Sequence, residues 1–137
     1  QPRRVAIGCD ARRLSLLIGV LAERQLCDLA NRDVFVAAAG GSQIREPAGD
    51  LAICLSLLSA ASKTPIHHGT LAVGEVGLAG EVRRVPGLQR RIAEAERLGF
   101  DKAIVPRGAA VSSKRIRIIE VAEVPQALKA ASSLAAA

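Results

Sequence analysis

The sequence predicts an α+β domain, a mixed sheet with packed helices, and three observations carry that reading. Short apolar runs alternate with segments whose apolar residues recur at helical spacing, in the order β-α-β-α-β-β-α-β-β-α. The stretch 74–91, GEVGLAGEVRRVPGLQRR, reads as a hairpin running directly into a helix. Half of the 137 residues are hydrophobic, enough to bury a core without disulfides or metals.

Taken in order, residues 3–7 form a strand closed by Gly8, and Asp10 is a good N-cap for a helix that turns Leu14, Leu17, Ile18 and Leu21 inward. Arg12 and Arg13 sit in its first turn, either solvated or facing a polyanion. Residues 33–39 are a compact apolar strand ended by Gly40 and Gly41. Pro47 then opens a long helix to about Ser62, apolar almost all round through Leu51, Ile53, Cys54, Leu55, Leu57 and Leu58, which makes it the central core helix. Lys63, Thr64 and Pro65 end it.

Residues 66–70 are a loop carrying His67 and His68. Strands at 71–76 and 81–85 flank Gly77 and Gly80, both expected to supply the positive φ of a tight reversal. Pro86 is expected to be the first residue of a helix that buries Leu88, Ile92, Ala95 and Leu98 and stops at Gly99. Further strands are expected at 101–105 and 116–121, with a loop at 108–113 between them, and residues 126–137 form a short helix or flexible tail. No repeat or linker divides the chain, so residues 1–137 are read as one domain.

Cys9, Cys27 and Cys54 are odd in number and widely spaced, and read as small buried hydrophobes in a reducing, cytoplasmic setting. Adjacent histidines with no third ligand in view are either solvent-facing or half of a metal site. A net charge of +6 suits a polyanion such as nucleic acid, or simply a solvated basic surface. With only Phe35 and Phe100 as aromatics, base stacking is excluded as the main binding mode. The longest apolar run, 51–58, is broken by Ser56 and too short to cross a bilayer. Residues 1–4 offer neither an initiator methionine nor an apolar leader, so the chain is expected to be a fragment of a longer protein. Gly40 and Gly41 are not followed by Gly-Lys-Ser/Thr, which argues against an ATPase loop. Ser42 is the one loop serine before the core helix. A dyad with Lys63 would have to span that helix, on the order of 20 Å at 1.5 Å per residue.

Two long segments, VFVAAAGGSQIREPAGDLAICLSLLSA and VGEVGLAGEVRRVPGLQRRIAEAERLGFDKAIVP, resemble the C-terminal Lon-protease-like domain of the bacterial RadA (Sms) family of DNA-repair proteins, over residues 3–106. The resemblance implies the Lon proteolytic-domain fold, a ribosomal-protein-type α/β two-layer arrangement. Lon-type proteases use a Ser-Lys dyad. Aligning their motifs on Pro47 and on Pro86, Gly87 and Leu88 puts Ala48 at the nucleophile position and Gln89 at the lysine position. Alanine has no oxygen to attack a carbonyl, and a glutamine amide is not a base. The resemblance therefore implies a pseudo-protease with no catalytic residue. RadA-like proteins are ATP-driven branch-migration helicases, and the zinc-binding and RecA-like modules that would use ATP, Mg and Zn lie outside this sequence. This fragment is expected to hold no cofactor or metal. Expected partners are single-stranded or branched DNA, further copies in a homo-oligomeric ring of six, and a RecA-type recombinase, with no membrane.

The candidate DNA contacts are Arg83, Arg84, Arg90 and Arg91, clustered between hairpin and helix, with Arg45 extending the surface. Arginines beside a helix N-terminus oppose its dipole, so an external anion would compensate them. Local pairing competes: Arg90 with Glu94, Glu81 across the hairpin, Arg45 with Glu46 or Asp50. Asp50 itself is expected to satisfy N–H groups at its helix start. Lys114, Arg115 and Arg117 either guard an edge strand or form a third basic group. The leading expectation is a non-enzymatic ring scaffold with a sequence-independent DNA surface. The alternatives are a purely structural oligomerisation module and a residual serine peptidase.

Overall fold

A computed structural model describes residues 1–132. Its elements are β1 (Arg4–Ile7), α1 (Ala11–Glu23), β2 (Val34–Ala37), α2 (Asp50–Ser62), β3 (Thr70–Ala72), β4 (Glu75–Val76), β5 (Val82–Arg83), α3 (Leu88–Arg97), β6 (Lys102–Pro106), β7 (Arg117–Val121) and α4 (Val124–Ser132). This is a mixed α/β arrangement compatible with the expected α+β class, and residues 133–137 of the expected tail lie outside the described residues.

The first unit is β1–α1–β2, in which two parallel strands register Arg4 with Val34 and Ile7 with Ala37. Parallel neighbours require a crossover, and α1 supplies it. Asp10 starts that helix as expected, its carboxylate accepting the Arg12 N–H at 2.9 Å. The second unit is an all-parallel sheet in the order β3-β6-β7. Its central strand β6 is buried along its whole length, with Ile104 in one apolar cluster and Ala103 and Val105 in the other. A parallel strand covered on both faces is expected to read as a continuous apolar run, as residues 103–106 do, while the buried Lys102 at its start donates from Nζ to the Ala130 carbonyl at 2.8 Å. The larger cluster joins α1, α2 and α4; the smaller lies under α3 and contains Ala48, Leu88 and Ile92.

The expected mixed sheet resolves into separate sheets, and among the described residues antiparallel pairing is the short ribbon β4–β5 and one isolated bridge between Glu81 and Glu123. The strand expected at 71–76 breaks at Gly74, because that residue's backbone is used elsewhere. Its N–H donates to the Ala48 carbonyl at 3.0 Å and its carbonyl accepts from the Leu51 N–H at 3.1 Å. No side chain fits there: a Cβ on Gly74 would lie 2.8 Å from Val82 Cγ1.

Two helix starts also differ from expectation. Pro47 opens a single 3-10 turn, Pro47–Gly49, before α2 begins at Asp50. Pro86 does not begin α3; Gly87 follows it in the left-handed region at φ +71, and the helix starts at Leu88. An L side chain rarely adopts that geometry, so glycine sets the boundary. In the hairpin, Gly80 supplies the positive φ but Gly77 does not. At Gly77 a Cβ would meet the Glu81 carboxylate, the flexible end of a partly exposed side chain that can move aside.

Candidate functional site

The two positions singled out as a degenerate dyad sit at helix starts that the fold brings against the same apolar cluster. Ala48, 7% exposed, belongs with Leu88 and Ile92 to the cluster beneath α3. Across the top, Arg91 Nη2 in the first turn of α3 meets Glu46 Oε2, one residue before Pro47, at 2.5 Å. Gln89 is already engaged: its Nε2 donates to the Ser112 carbonyl at 2.9 Å and its Oε1 accepts the Ser112 N–H at 3.2 Å. A methyl group has no lone pair for attack, and a side-chain amide bonded to the Ser112 backbone is not a base.

The five candidate arginines divide into two kinds. Arg83 bonds Glu81 through Nε at 3.2 Å and Nη2 at 2.8 Å, and Arg91 bonds Glu46. The pairing with Arg83 holds the Glu81 carboxyl below its ordinary range and raises the Arg83 guanidinium. Arg45, Arg84 and Arg90 are exposed and have no ion-pair partner among the described residues. The local pairings therefore differ from those expected. Glu94 takes Arg97 at 2.5 Å and not Arg90, because an i, i+3 pair toward the helix C-terminus also favours the dipole. Glu81 takes Arg83, its near neighbour, and Arg45 loses both expected carboxylates, Glu46 to Arg91 and Asp50 to Arg13. Arg90 and Arg91 line an apolar groove of about 430 Å³ whose floor includes Leu71, Ala95 and Phe100.

The strongest electrostatic feature is one that sequence reasoning assigned differently. Asp50 is 1% exposed and accepts both Nε (3.0 Å) and Nη2 of Arg13, together with the Val76 N–H at 3.1 Å. Its carboxylate thus serves a strand and not its own helix start. Arg13 also reaches Glu75 at 3.6 Å, and the Asp50 hydrogen bond holds its guanidinium above its ordinary value. The signal was available in part: Asp50 follows Pro47 at the head of an otherwise apolar helix, where an unpaired charge would be untenable. Beneath it, burial, with the Asp50 carboxylate adding to it, pushes the Cys54 thiol up to about 12.

The remaining candidates stay apart. Ser42 is exposed beyond β2, whereas Lys63 caps the far end of α2 at φ +55. Ser56 and Ser62 bond back to Ala52 and Leu58 carbonyls at 2.8 and 2.6 Å. His67 Nε2 lies 3.9 Å from Asp101 Oδ1, and His68 is exposed. Among the described residues no three His, Cys, Asp or Glu side chains converge in a way that would hold a metal ion. No helix there is long and apolar enough to cross a membrane.

Comparison with known proteins gives this mixed α/β domain its class. A family profile described as subunit ChlI of Mg-chelatase matches residues 15–109, and the chain belongs to that family. DNA repair protein RadA of Bacillus subtilis (strain 168) is 44% identical to this chain over 131 residues, covering 93% of this chain and 29% of that protein. RadA of Haemophilus influenzae is 47% identical over 107 residues, covering 78% and 23% respectively. RadA of Pseudomonas aeruginosa is 41% identical over 131 residues, covering 94% and 29%. The chain is homologous to RadA over most of its length and spans less than a third of these relatives.

Proposed function

We propose that this chain is the non-proteolytic, Lon-like domain of a RadA-type DNA repair protein, acting as a ring-assembly scaffold and a sequence-independent DNA-contacting surface. The observation that carries the reading is the pair of inert residues, Ala48 and Gln89, at helix starts held together by Arg91 and Glu46. Homology to DNA repair protein RadA supplies the biological setting. In that setting ATP, Mg and Zn act in other modules, the whole protein works in the cytoplasm as a hexameric branch-migration helicase, and a RecA-type recombinase is a partner.

The arginines without ion pairs, Arg45, Arg84 and Arg90, are the DNA contacts this reading favours, with Arg83 and Arg91 as secondary ones. Three phosphate contacts give a slope of about −3 for log K against log salt on duplex DNA, with little sequence preference. Fluorescence anisotropy of labelled single-stranded and duplex DNA tests this. Charge reversal at Arg45, Arg84 and Arg90 is expected to weaken binding tenfold or more. Absence of binding at low salt removes the DNA role. The second reading, oligomerisation without DNA, is favoured by the local pairing of Arg83 and Arg91. Sedimentation of the DNA-free chain across salt concentrations separates the two.

A further inference from the structure

We propose that the outward face of the β1–β2 sheet is a contact between two copies of this chain, related by a two-fold axis that runs along the strands. This goes beyond the ring reading and stands on separate residues, because a ring joins unlike surfaces whereas this contact joins like to like.

β1 and β2 are parallel, and parallel sheets are ordinarily covered on both faces. Here the second face is open. On the covered side Val34 is buried in the larger apolar cluster, with Ala6 and Val36 packed against it. Side chains alternate between the faces of a strand, so Val5 and Ile7 share the other face with Phe35 and Ala37. All four are apolar, where a strand that faces water ordinarily carries polar residues. Ile7 is 62% exposed and Phe35 59%, so the apolar surface is contiguous and meets solvent.

The register points to the occupant. Val5 stands beside Phe35 and Ile7 beside Ala37. Two residues before Val5 and Phe35, on the same face, Asp33 accepts the Arg3 N–H at 2.7 Å and lies 3.4 Å from its guanidinium. Both side chains are exposed, at 70% and 44%, and the Arg3 Cζ sits 5.2 Å from the Phe35 ring centroid, so the two charges border the apolar centre. A two-fold axis along the strands lays β1 of each copy over β2 of the other. Phe35 then meets the smaller Val5 and Ile7 meets Ala37, the large-against-small order in which facing layers interdigitate. The same rotation sets Arg3 of each copy against Asp33 of the other. A second copy thus matches the face in size and in charge by symmetry alone, in the aligned packing of two sheets about 10 Å apart. The face measures on the order of 300 Å² per copy from strand dimensions, below the roughly 800 Å² per partner of a stable complex, so the pairing is expected to be weak.

Sedimentation equilibrium of the chain, at concentrations up to about 1 mM to reach a weak contact, tests this. Phe35→Asp, at an exposed position that leaves the core intact, is expected to halve the limiting mass of the unaltered chain, and Leu78→Asp, on a hairpin tip 70% exposed, to leave it unchanged. Arg3→Asp and Asp33→Arg, each folded by circular dichroism, are expected to pair with themselves at least tenfold more weakly, because like charges then face each other. An equimolar mixture of these two variants is expected to regain the affinity of the unaltered chain, since each then offers the other opposite charges at both positions. A role for Arg3 and Asp33 within one chain predicts no recovery on mixing. The proposal is overturned if the unaltered chain stays monomeric throughout, if Phe35→Asp leaves the limiting mass unchanged, if Leu78→Asp lowers it as much, or if the mixture associates no better than its components.

Discussion

Replacing Arg13 with methionine removes both guanidinium bonds to Asp50 while keeping most of the apolar stem. Asp50, 1% exposed, is then left with the Val76 N–H as its remaining partner. Removing one member of a buried pair typically costs about 3–5 kcal/mol. Arg13 is 29% exposed in its side chain, so water reaches the vacated end and the lower figure applies, about 3 kcal/mol. For a domain of this length the unfolding entropy is roughly 0.3 kcal/mol/K, so the melting temperature should fall by about 10 °C. Asp50→Asn should cost less, about 1–1.5 kcal/mol, because the amide oxygen still accepts the Val76 N–H and Arg13 turns to water. The decisive variant is Arg13→Met with Asp50→Asn: it should be more stable than Arg13→Met alone, since no unpaired charge remains buried. Calorimetry and urea titration on all four proteins measure this. A drop of less than about 2 °C for Arg13→Met, or strictly additive costs in the double variant, refutes the account of Asp50 as a charge held in place by Arg13.

Two glycines should respond in opposite senses. Gly8→Ala sets a Cβ 2.5 Å from the Ser42 carbonyl oxygen at φ +77 and is expected to cost at least about 2 kcal/mol, whereas Gly19→Ala, in α1 with nothing nearby, should gain up to about 1 kcal/mol; denaturant midpoints decide both. Cys54 should resist alkylation at pH 8 until the chain is unfolded, while the half-buried Cys9 and Cys27 label slowly in the native protein, as mass spectrometry of quenched samples would show. Acid should loosen the connection between β6 and β7. Glu96 is held below its ordinary 4.5 by the Ser113 hydroxyl and the Arg115 N–H, so its contribution is present above that value and lost as pH falls through the lower folded one. Protection of the Arg115 amide, relative to its intrinsic exchange at each pH, should therefore fall as pH drops below 4.5, and Glu96→Gln should blunt the change.

The elements whose signals are local were legible in the sequence. Asp10 as a cap, the largely apolar α2 and the strand β6 each follow from residues within one segment. What escaped were consequences of long-range hydrogen bonding. Nothing within residues 71–76 shows that Gly74 would spend its backbone on Ala48 and Leu51 and so end a strand. The arginine partners were misassigned for a related reason: sequence proximity suggested Glu46 or Asp50 for Arg45, but the fold brings Arg91 and Arg13 to those carboxylates from 45 and 37 residues away. Local spacing identified Pro86 as a helix start, and the left-handed Gly87 beside it decided otherwise.

On the proposed reading, the inert positions have been absorbed into the packing so fully that restoring the dyad should not restore proteolysis. Ala48→Ser would put a hydroxyl into an apolar cluster beside Leu88 and Ile92, where an unsatisfied polar group costs about 1–3 kcal/mol. Gln89→Lys would lose the acceptor for the Ser112 N–H, keeping at most one of the two bonds to Ser112. A lysine that stayed charged would also add to Arg90 and Arg91 in the first turn of α3, against the helix dipole. The double variant is therefore expected to melt several degrees lower, with no hydrolysis of fluorogenic peptides above the unaltered chain. Measurable turnover would mean that Ala48 and Gln89 line an open, correctly shaped cleft. It would place the barrier to catalysis in two side chains alone, contrary to a structure in which one is buried and the other is bonded on both ends of its amide.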